Sequence, residues 1–353
     1  GRRPVVEAVM ASAADEEPGV RVRRGVGVAG LVTGAGVVDG VPHVAGVRTT
    51  GGEELPADLV VDATGRRSAL AEWLAAIGAR APVDEAEDCG FVYHTRYFAG
   101  PALPAMMAPP VSEIGTISLL TIPGDNGTWS VTVWAASSDR ALRALRDPQR
   151  FSAVVGACPL HAHWLDGEPI TEVLTMAGIL DRYRRFVVDG RPVATGVAAV
   201  GDAWACTNPS AGRGMTVGLV HAQALRDVAR SHLGDPEGLA RAWDEVTEAA
   251  VAPFYWNQIR ADRARMAQMD ALREGREPPP ADPTAAAMGA AMMHDPDVFR
   301  AALEIAMCLA LPDEVLARPG FRQRIDAFAG AGTPSMPGPD RSALVELLSE
   351  PVR

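Results

Sequence analysis

Apolar residues along this chain recur with two different periods, and Gly- and Pro-rich breaks separate the segments that follow each period. Two short apolar runs, at 58–63 and 197–200, have the composition of buried parallel strands, and each leads through a glycine turn into a helix. Between them lie three β-rich runs, at 91–98, 114–122 and 128–136. The pattern predicts an α/β protein (α+β overall) with part of a parallel sheet, an antiparallel sheet and a C-terminal helical region.

Helical spacing of apolar residues predicts the remaining elements. The expected helices lie at 2–17, 138–155, 239–274, 284–293, 295–311 and 340–349. Another helix is expected to begin at Ser68, which has the character of a capping residue, with an inward stripe of Leu70, Trp73, Leu74 and Ile77. Alternation from Val20 to Val32 predicts a strand with a hairpin-like return through 43–49 and 54–63.

Residues 25–30 spell a literal G-x-G-x-x-G, which we interpret as a decoy. A dinucleotide-binding loop needs a helix that opens at the glycines, so that the pyrophosphate meets the amino end of the helix. Here the flanking residues are rich in valine, and Gly34 and Gly36 follow, a composition typical of strand and turn. The rival hypothesis, a plain NAD-dependent Rossmann dehydrogenase, requires a helix at 28–40.

The stretch 193–225 contains the strongest candidate chemistry. Asp202 follows the apolar run 197–200, at the carboxyl end of a predicted strand, where α/β sheets place their ligand sites. An ionised carboxylate only accepts hydrogen bonds, which suits a ribose diol. Gly212 and Gly214 allow a ligand to approach the amino end of the next helix closely, where unpaired N–H groups favour negative charge.

This stretch resembles a motif of a known family. GDAWACTNPSAGRGM is similar to the second flavin-contact motif of FAD-dependent oxidoreductases with the p-hydroxybenzoate hydroxylase fold. The resemblance implies that the Asp holds the FAD ribitol or ribose and that the helix start faces the pyrimidine edge of the isoalloxazine. The implied cofactor-binding residues are Gly201, Asp202, Asn208, Pro209, Gly212, Arg213, Gly214 and Met215.

Two further pieces resemble the same family. The run DATGRRS, with Asp62, Gly65 and Arg66, is similar to its D-A-T/S-G-R-x-S motif near the FAD pyrophosphate. The opening RPVVE resembles a family helix start whose arginine, here Arg3, reaches the cofactor phosphates. The implied domains are a partial FAD-binding domain at 1–84, an antiparallel-sheet substrate domain at 85–190, a return to the FAD-binding domain at 191–235 and a helical region at 236–353.

The activity implied by the resemblance is that of an FAD-dependent oxidoreductase of the monooxygenase type, with NAD(P)H as reductant and a small organic substrate. Tyr93, Tyr97, Trp129 and Trp134 alternate along the β-rich runs, and they either line a substrate cavity or pack the sheet. Catalytic acid–base residues are unknown, and a geranylgeranyl-reductase-like activity stays open. Flavin-dependent halogenases of this fold use a lysine, and the chain contains no lysine, which excludes that chemistry.

Family members begin with a βαβ unit that carries G-x-G-x-x-G and an acidic residue about 20 positions later. The family-like material starts here at Arg3, so we expect that unit to be missing and the strands at 58–63 and 197–200 to lack a partner. The alternative function is therefore an N-terminally truncated, FAD-deficient remnant or binding module without catalytic activity.

Composition narrows the remaining possibilities. The net charge of −11 disfavours nucleic acid or an anionic membrane surface as a partner. The chain has no long apolar span and no signal-peptide pattern, which predicts a cytoplasmic protein without a membrane span. The four cysteines are widely spaced, and His161 and His163 form an isolated pair, so no metal site is predicted. The oligomeric state is left open.

Overall fold

The computed structural model describes residues 2–331 and 335–349. Within them the helices are α1 (Arg3–Glu16), α2 (Leu70–Ala76), α3 (Pro148–Gly156), α4 (Gly214–His232), α5 (Pro236–Ala250), α6 (Ala252–Arg273), α7 (Pro283–Met292), α8 (Pro296–Ala306), α9 (Pro312–Leu316), α10 (Phe321–Asp326) and α11 (Arg341–Ser349). Short 3-10 turns lie at Gly65–Arg67, Ala141–Arg146, Ala162–Leu165 and Gly201–Ala203.

The strands form several separate sheets. They are β1 (Val28–Thr33), β2 (Val44–Thr49), β3 (Glu54–Pro56), β4 (Val60–Asp62), β5 (Val83–Asp88), β6 (Phe91–Ala99), β7 (Val111–Ile114), β8 (Ile117–Pro123), β9 (Thr128–Ala136), β10 (Glu168–Pro169), β11 (Leu174–Met176), β12 (Leu180–Arg185), β13 (Val187–Val188), β14 (Arg191–Pro192), β15 (Val197–Ala199) and β16 (Ala205–Cys206). The predicted mixture of a parallel pair, an antiparallel sheet and a C-terminal helical region is confirmed.

The parallel pair consists of β4 and β15, whose central residues Val61 and Ala198 face each other in the register. The two apolar runs expected to lack a partner therefore pair with each other. Because parallel strands end at the same edge of a sheet, the loops that follow Asp62 and Ala199 come together there. This edge carries the candidate site.

The glycine-rich decoy at 25–30 is not a dinucleotide loop. Gly25 adopts a left-handed turn (φ +73°), and the following residues enter β1 rather than a helix, so the dehydrogenase hypothesis is wrong. The strand predicted from Val20 begins only at Val28, however. Val28 pairs with Thr49, the last residue of β2, and in the part of the chain that the structure describes the segment before Val28 pairs with no strand.

The antiparallel sheet has the order β10-β6-β9-β8-β7, with β11 also paired to β6, and it contains all three predicted β-rich runs. Asn126 (φ +52°) and Gly127 (φ +65°) form the predicted tight hairpin turn between β8 and β9. The aromatic residues lie on both faces of the sheet. Tyr93 stacks on Trp134 on one face, while Trp129 stacks on Phe98 on the other. Three of the four predicted aromatics are buried and pack the sheet, and only Tyr97 is half-buried.

The long helix predicted for 239–274 is instead two helices, α5 and α6. The break falls at Val251, which is fully buried and departs from helical geometry (φ −121°, ψ −44°). Pro253 explains it, because a proline lacks the N–H that a continuous helix would bond and its ring clashes with the preceding turn. The helix predicted at 138–155 is likewise split, since the Asp147 side chain caps a new helix at Pro148.

The C-terminal helices α7 to α10 enclose a small apolar core of their own, centred on Val298, Val315 and Ile325. Helix α11 instead packs Leu344 and Leu348 into the core beneath the antiparallel sheet. Within 2–331 and 335–349, we find no helix with the length and apolarity needed to cross a membrane.

Candidate cofactor site

The candidate site begins at the tight turn after β15. Gly201 adopts a left-handed conformation (φ +57°), which any side chain would strain, and starts the 3-10 turn that carries Asp202. The turn lies close to α4, since a methyl group added at Gly201 would come within 3.7 Å of the Gly218 Cα atom. Two glycines thus allow the strand end and the helix to approach each other.

Asp202 lies where three segments distant in sequence converge. The Asp202 side chain is exposed, and its partial desolvation by the surrounding protein raises the pKa of this carboxyl group, while the nearby positive charges of Arg66 and Arg3 lower it. Asp202 also acts on Arg3, whose pKa is raised first by its ion pair with Glu7 and then by Asp202. Of the predicted residues, Arg3, Arg66 and Asp202 therefore form one electrostatic cluster, although the first and the last are 199 positions apart in the sequence.

The start of α4 lies beside this cluster. A methyl group added at Gly214 would be 4.0 Å from Oδ1 of Asp202. Arg213 is the N-cap residue and its side chain caps no backbone N–H, while Gly214, Met215 and Thr216 are exposed. The unpaired N–H groups and dipole of a 19-residue helix are thus available to an anionic or electron-rich ligand.

His221, on the inner side of α4, holds the turn in place. The backbone N–H of Gly201 donates to Nδ1 of His221 at 3.1 Å, and Nε2 of His221 lies 3.0 Å from the hydroxyl of Thr247. The imidazole is fully buried and stacks on Trp243 with a centroid distance of 4.3 Å. Sequence reasoning missed His221, since a single histidine on a helix gives no signal until its partner in the turn is known.

The Asp62 side chain makes its hydrogen bonds within its own loop. The carboxylate accepts hydrogen bonds from the backbone N–H of Thr64 (2.9 Å), the hydroxyl of Thr64 (2.6 Å) and the hydroxyl of Ser68. Asp62 is buried, whereas Arg66 in the following turn is exposed. We therefore assign to Asp62 the shaping of the turn that presents Arg66.

Ser68 is not the N-cap residue of α2, contrary to the prediction. Ala69 occupies the N-cap position of α2, and the Ser68 hydroxyl accepts a hydrogen bond from Leu70 N at 3.1 Å while it donates to Asp62. Gly65 takes the left-handed conformation (φ +82°) required by the turn. The predicted apolar stripe of α2 is confirmed, with Leu70 and Leu74 fully buried.

Asn208, predicted to contact the cofactor, points its side chain into the protein. Its Oδ1 accepts hydrogen bonds from the Tyr93 hydroxyl (2.7 Å) and from Ser210 N (2.8 Å), and its Nδ2 donates to Asp262 Oδ2 at 2.5 Å. The neighbouring Pro209 and Gly212 are exposed. The loop thus has an inner anchor at Asn208 and an outer surface made by Pro209, Gly212 and the helix start.

Two buried acids lie behind this loop, and sequence reasoning named neither. Asp181 on β12 accepts a hydrogen bond from Asn208 N at 2.7 Å, and burial raises the pKa of Asp181 to about 6, helped by the negative charge of Asp262. Burial also raises the pKa of Asp262 on α6, against the lowering effect of hydrogen bonds from Gln258, Asn208 and Ser210.

Comparison with characterised proteins agrees with the motif resemblance at the level of the fold. No protein-family model matches the chain. Among curated proteins, the chain is similar to "Protein Rv3254" of Mycobacterium tuberculosis (strain ATCC 25618 / H37Rv), with 29% identity over 218 residues. The alignment covers 58% of this chain and 44% of that protein, so the chain spans less than half the length of this relative.

The chain also shares its fold with solved structures of several enzymes, among them two whose names give them as flavin- or FAD-dependent. The flavin-dependent brominase Bmp2 superimposes with a TM-score of 0.60 at 14% identity, over 93% of this chain and 75% of that one. PqsL of Pseudomonas aeruginosa, described as a probable FAD-dependent monooxygenase, gives 0.53 at 18% identity, over 75% and 72%. CabE, an aromatic hydroxylase from angucycline biosynthesis, gives 0.54 at 18% identity, over 88% and 58%. The predicted p-hydroxybenzoate hydroxylase-like fold is confirmed.

Proposed function

We propose that this chain supplies the FAD site of a flavin-dependent oxidoreductase of the monooxygenase type, which acts on a small organic substrate with NAD(P)H as reductant. The observation that carries the proposal is the convergence of Arg3, Arg66, Asp202 and the start of α4 at one edge of the parallel pair. These groups come from three segments and match the parts of one cofactor. Arginines suit a pyrophosphate, a carboxylate suits a sugar diol, and a helix start suits an electron-rich ring edge.

The roles of these residues follow from their chemistry. Bound FAD would supply the redox chemistry, namely oxidation of NAD(P)H and activation of oxygen. Asp202 would accept hydrogen bonds from the ribitol or ribose hydroxyls, and partial desolvation of its carboxylate strengthens such bonds. Arg3 and Arg66 would neutralise the phosphates, while the N–H groups at Gly214 and Met215 would stabilise negative charge on the pyrimidine edge.

We assign the substrate side to the antiparallel sheet, in accordance with the proposed domain at 85–190. Thr95 and Tyr97 project from the same face of β6 as Tyr93, whose hydroxyl donates to Asn208 in the loop at 207–214. Both are only half-buried, and the Thr95 hydroxyl lies 2.8 Å from that of Thr132 on β9. This face offers hydroxyl groups and an aromatic ring, which suits an uncharged aromatic substrate with polar substituents.

An FAD titration of the purified 353-residue chain tests the proposal. Flavin absorbance bands at about 370 and 450 nm that remain with the protein after gel filtration are expected of the bound cofactor. Asp202→Ala should weaken FAD affinity by about 1–3 kcal/mol, the value of a hydrogen bond to a charged group. Asp227→Ala is the matched control, because Asp227 is an exposed aspartate whose carboxylate pairs with its neighbour Arg226.

Either outcome discriminates between the two candidate functions. If the wild-type chain binds FAD and only Asp202→Ala loses affinity, the assignment of the site holds, and oxidation of NADH or NADPH can then be assayed with aromatic substrates. A colourless chain that leaves added FAD free would favour the FAD-deficient remnant or binding module. Equal affinities of the Asp202→Ala and Asp227→Ala variants would refute the role of Asp202.

A further inference from the structure

We propose that Asp262 and Gln258, two residues of α6 that belong to no cofactor motif, are positioning residues that set the geometry of the cofactor loop at 207–214. The proposal deepens the proposed function, since it states what holds the loop in its binding conformation. It assigns to the C-terminal helical region a direct part in building the cofactor site.

Side chains of α6 contact the loop at positions spread along the length of the loop. Asp262 Oδ2 accepts the hydrogen bond from Nδ2 of Asn208 at 2.5 Å, and its Oδ1 lies 3.4 Å from the Ser210 hydroxyl. Gln258 Nε2 donates to the Ser210 hydroxyl at 2.8 Å, and Gln258 Oε1 accepts from the Arg213 guanidinium at 2.8 Å. Three loop positions, including the N-cap of α4, are thus tied to α6.

The two α6 residues also fix each other. Gln258 Nε2 lies 2.9 Å from both carboxylate oxygens of Asp262, one helical turn away, so neither side chain can rotate without loss of a hydrogen bond. Asp262 is 7% exposed, Gln258 6% and Asn208 3%. Because water does not reach these groups, a broken contact would leave a buried polar atom unpaired.

The network ends at β6 of the antiparallel sheet and at β12. The Tyr93 hydroxyl on β6 donates to Asn208 Oδ1, and Asp181 on β12 accepts from Asn208 N. Asn208 is therefore held from three elements, and Asp262 is the partner that takes a hydrogen bond from the Asn208 amide nitrogen. Removal of the Asp262 carboxylate should free the loop without removal of any motif residue.

Hydrogen exchange of the full chain without FAD tests the positioning role directly. In Asp262→Ala, backbone amides at 207–216 should exchange at least tenfold faster than in the wild-type chain, while those of β1 and β2 should not change. The control is Arg265→Met, because Arg265 is an equally buried charged residue on the same helix that bonds the sheet turn at Gly115 and Ile117 instead of the loop. It should raise exchange at 115–118 more than at 207–216, whereas Asp262→Ala should raise exchange at 207–216 more than at 115–118.

A reciprocal exchange of side chains separates positioning from simple loss of packing. Asn208→Asp alone sets two carboxylates against each other where the hydrogen bond is now 2.5 Å long, so the loop should open. In the double variant Asn208→Asp/Asp262→Asn, the amide nitrogen at position 262 donates to the carboxylate at position 208, which still accepts from Tyr93 and Ser210. The amide oxygen at position 262 remains as the one acceptor there for Gln258 Nε2. Protection of 207–216 should return to within about threefold of the wild type.

The outcomes keep this inference distinct from the proposed function. FAD affinity, measured by flavin fluorescence, should fall about tenfold or more in Asp262→Ala and recover in the double variant. If exchange at 207–216 responds as predicted but the wild-type chain binds no FAD, the positioning role stands and the cofactor assignment fails. If exchange at 207–216 does not rise in Asp262→Ala, or if the double variant fails to restore protection, the positioning role is wrong. Should Asp262→Ala not fold, the comparison of Asn208→Asp with the double variant decides.

Discussion

The backbone N–H of Gly201 donates to Nδ1 of His221 at 3.1 Å, and this contact ties the turn that carries Asp202 to the helix that follows it. Since Nδ1 accepts, Nε2 carries the proton and donates to the Thr247 hydroxyl, 3.0 Å away. Burial lowers the pKa of His221 to about 3, which keeps the ring neutral at physiological pH. The imidazole is a neutral link between α4, α5 and the turn.

Replacement of His221 should lower the free energy of unfolding, and the effect should depend on which ring nitrogen the new side chain can replace. His221→Phe keeps a stacked ring on Trp243 but leaves Gly201 N and the Thr247 hydroxyl unpaired, so we expect a loss of about 2–4 kcal/mol in the free energy of unfolding. His221→Asn retains an acceptor near Nδ1 and should lose less of the FAD affinity, although it is smaller. Urea unfolding and FAD titration measure both effects, and equal FAD affinities in the two variants would contradict the role of Nδ1.

The raised pKa of Asp181 should make the free energy of unfolding depend on pH. Burial raises the pKa of Asp181 to about 6, above its value of 3.8 in the unfolded chain, so the folded state binds its proton more tightly. The contribution of this group is therefore most favourable at low pH and is lost as the pH rises from about 4 to about 6. Asp181→Asn, which mimics the protonated form, should be more stable than the wild type by up to about 3 kcal/mol at pH 7.5.

The comparison across pH supplies the control for this prediction. At pH 3.5 the wild-type and Asp181→Asn chains should have nearly the same free energy of unfolding, because Asp181 is then mostly protonated in both states. The variant keeps the acceptor for Asn208 N, so the loop anchor is preserved. A stability difference that does not change between pH 3.5 and 7.5 would show that ionisation of Asp181 is not its cause.

Asp202 should separate cofactor binding from stability. Burial raises the pKa of Asp202, so ionisation of this carboxyl group opposes folding, even with Arg66 and Arg3 nearby. Asp202→Asn should therefore leave the thermal midpoint of the FAD-free chain unchanged or slightly higher while it weakens FAD binding by about 1–3 kcal/mol. Differential scanning fluorimetry with and without FAD measures both, and a large loss of stability without FAD would identify Asp202 as a structural residue.

Arg265 is predicted to be a main structural link between α6 and the antiparallel sheet. Its guanidinium donates to the carbonyl oxygens of Gly115 (3.0 Å) and Ile117 (2.5 Å) and to the Ser118 hydroxyl (3.0 Å). Arg265→Met would leave these buried acceptors unpaired and should cost about 3–5 kcal/mol of unfolding free energy. Arg263→Met is the control, because its ion pair with Glu87 is exposed; the effect should stay below about 1 kcal/mol. Equal losses in the two variants would contradict the prediction.

Local patterns predicted much of the secondary structure, and the failures have local causes. The turn at Asn126-Gly127, the strand at 128–136 and the helix at 3–16 are each specified by neighbouring residues. The prediction of a strand at 20–27 was wrong because a strand needs a partner, and the alternation of valines does not show whether one exists. The prediction of a single helix at 239–274 was wrong because it followed the apolar stripe, which continues on both sides of Pro253. The proline interrupts the helix although the stripe does not change there.

The sequence by itself determined which residues of the cofactor motif exist and at what spacing, because glycine conformations and strand-to-helix turns depend on a few consecutive residues. Only the tertiary structure decided which of them stay accessible. Asp202 and Arg66 remain on the accessible side, whereas Asp62 and Asn208 are occupied by internal hydrogen bonds. His221, Asp181, Gln258 and Asp262 could not be found from sequence, since each acts through a partner 20 or more residues away. Their roles depend on the packing of whole elements, which no local pattern records.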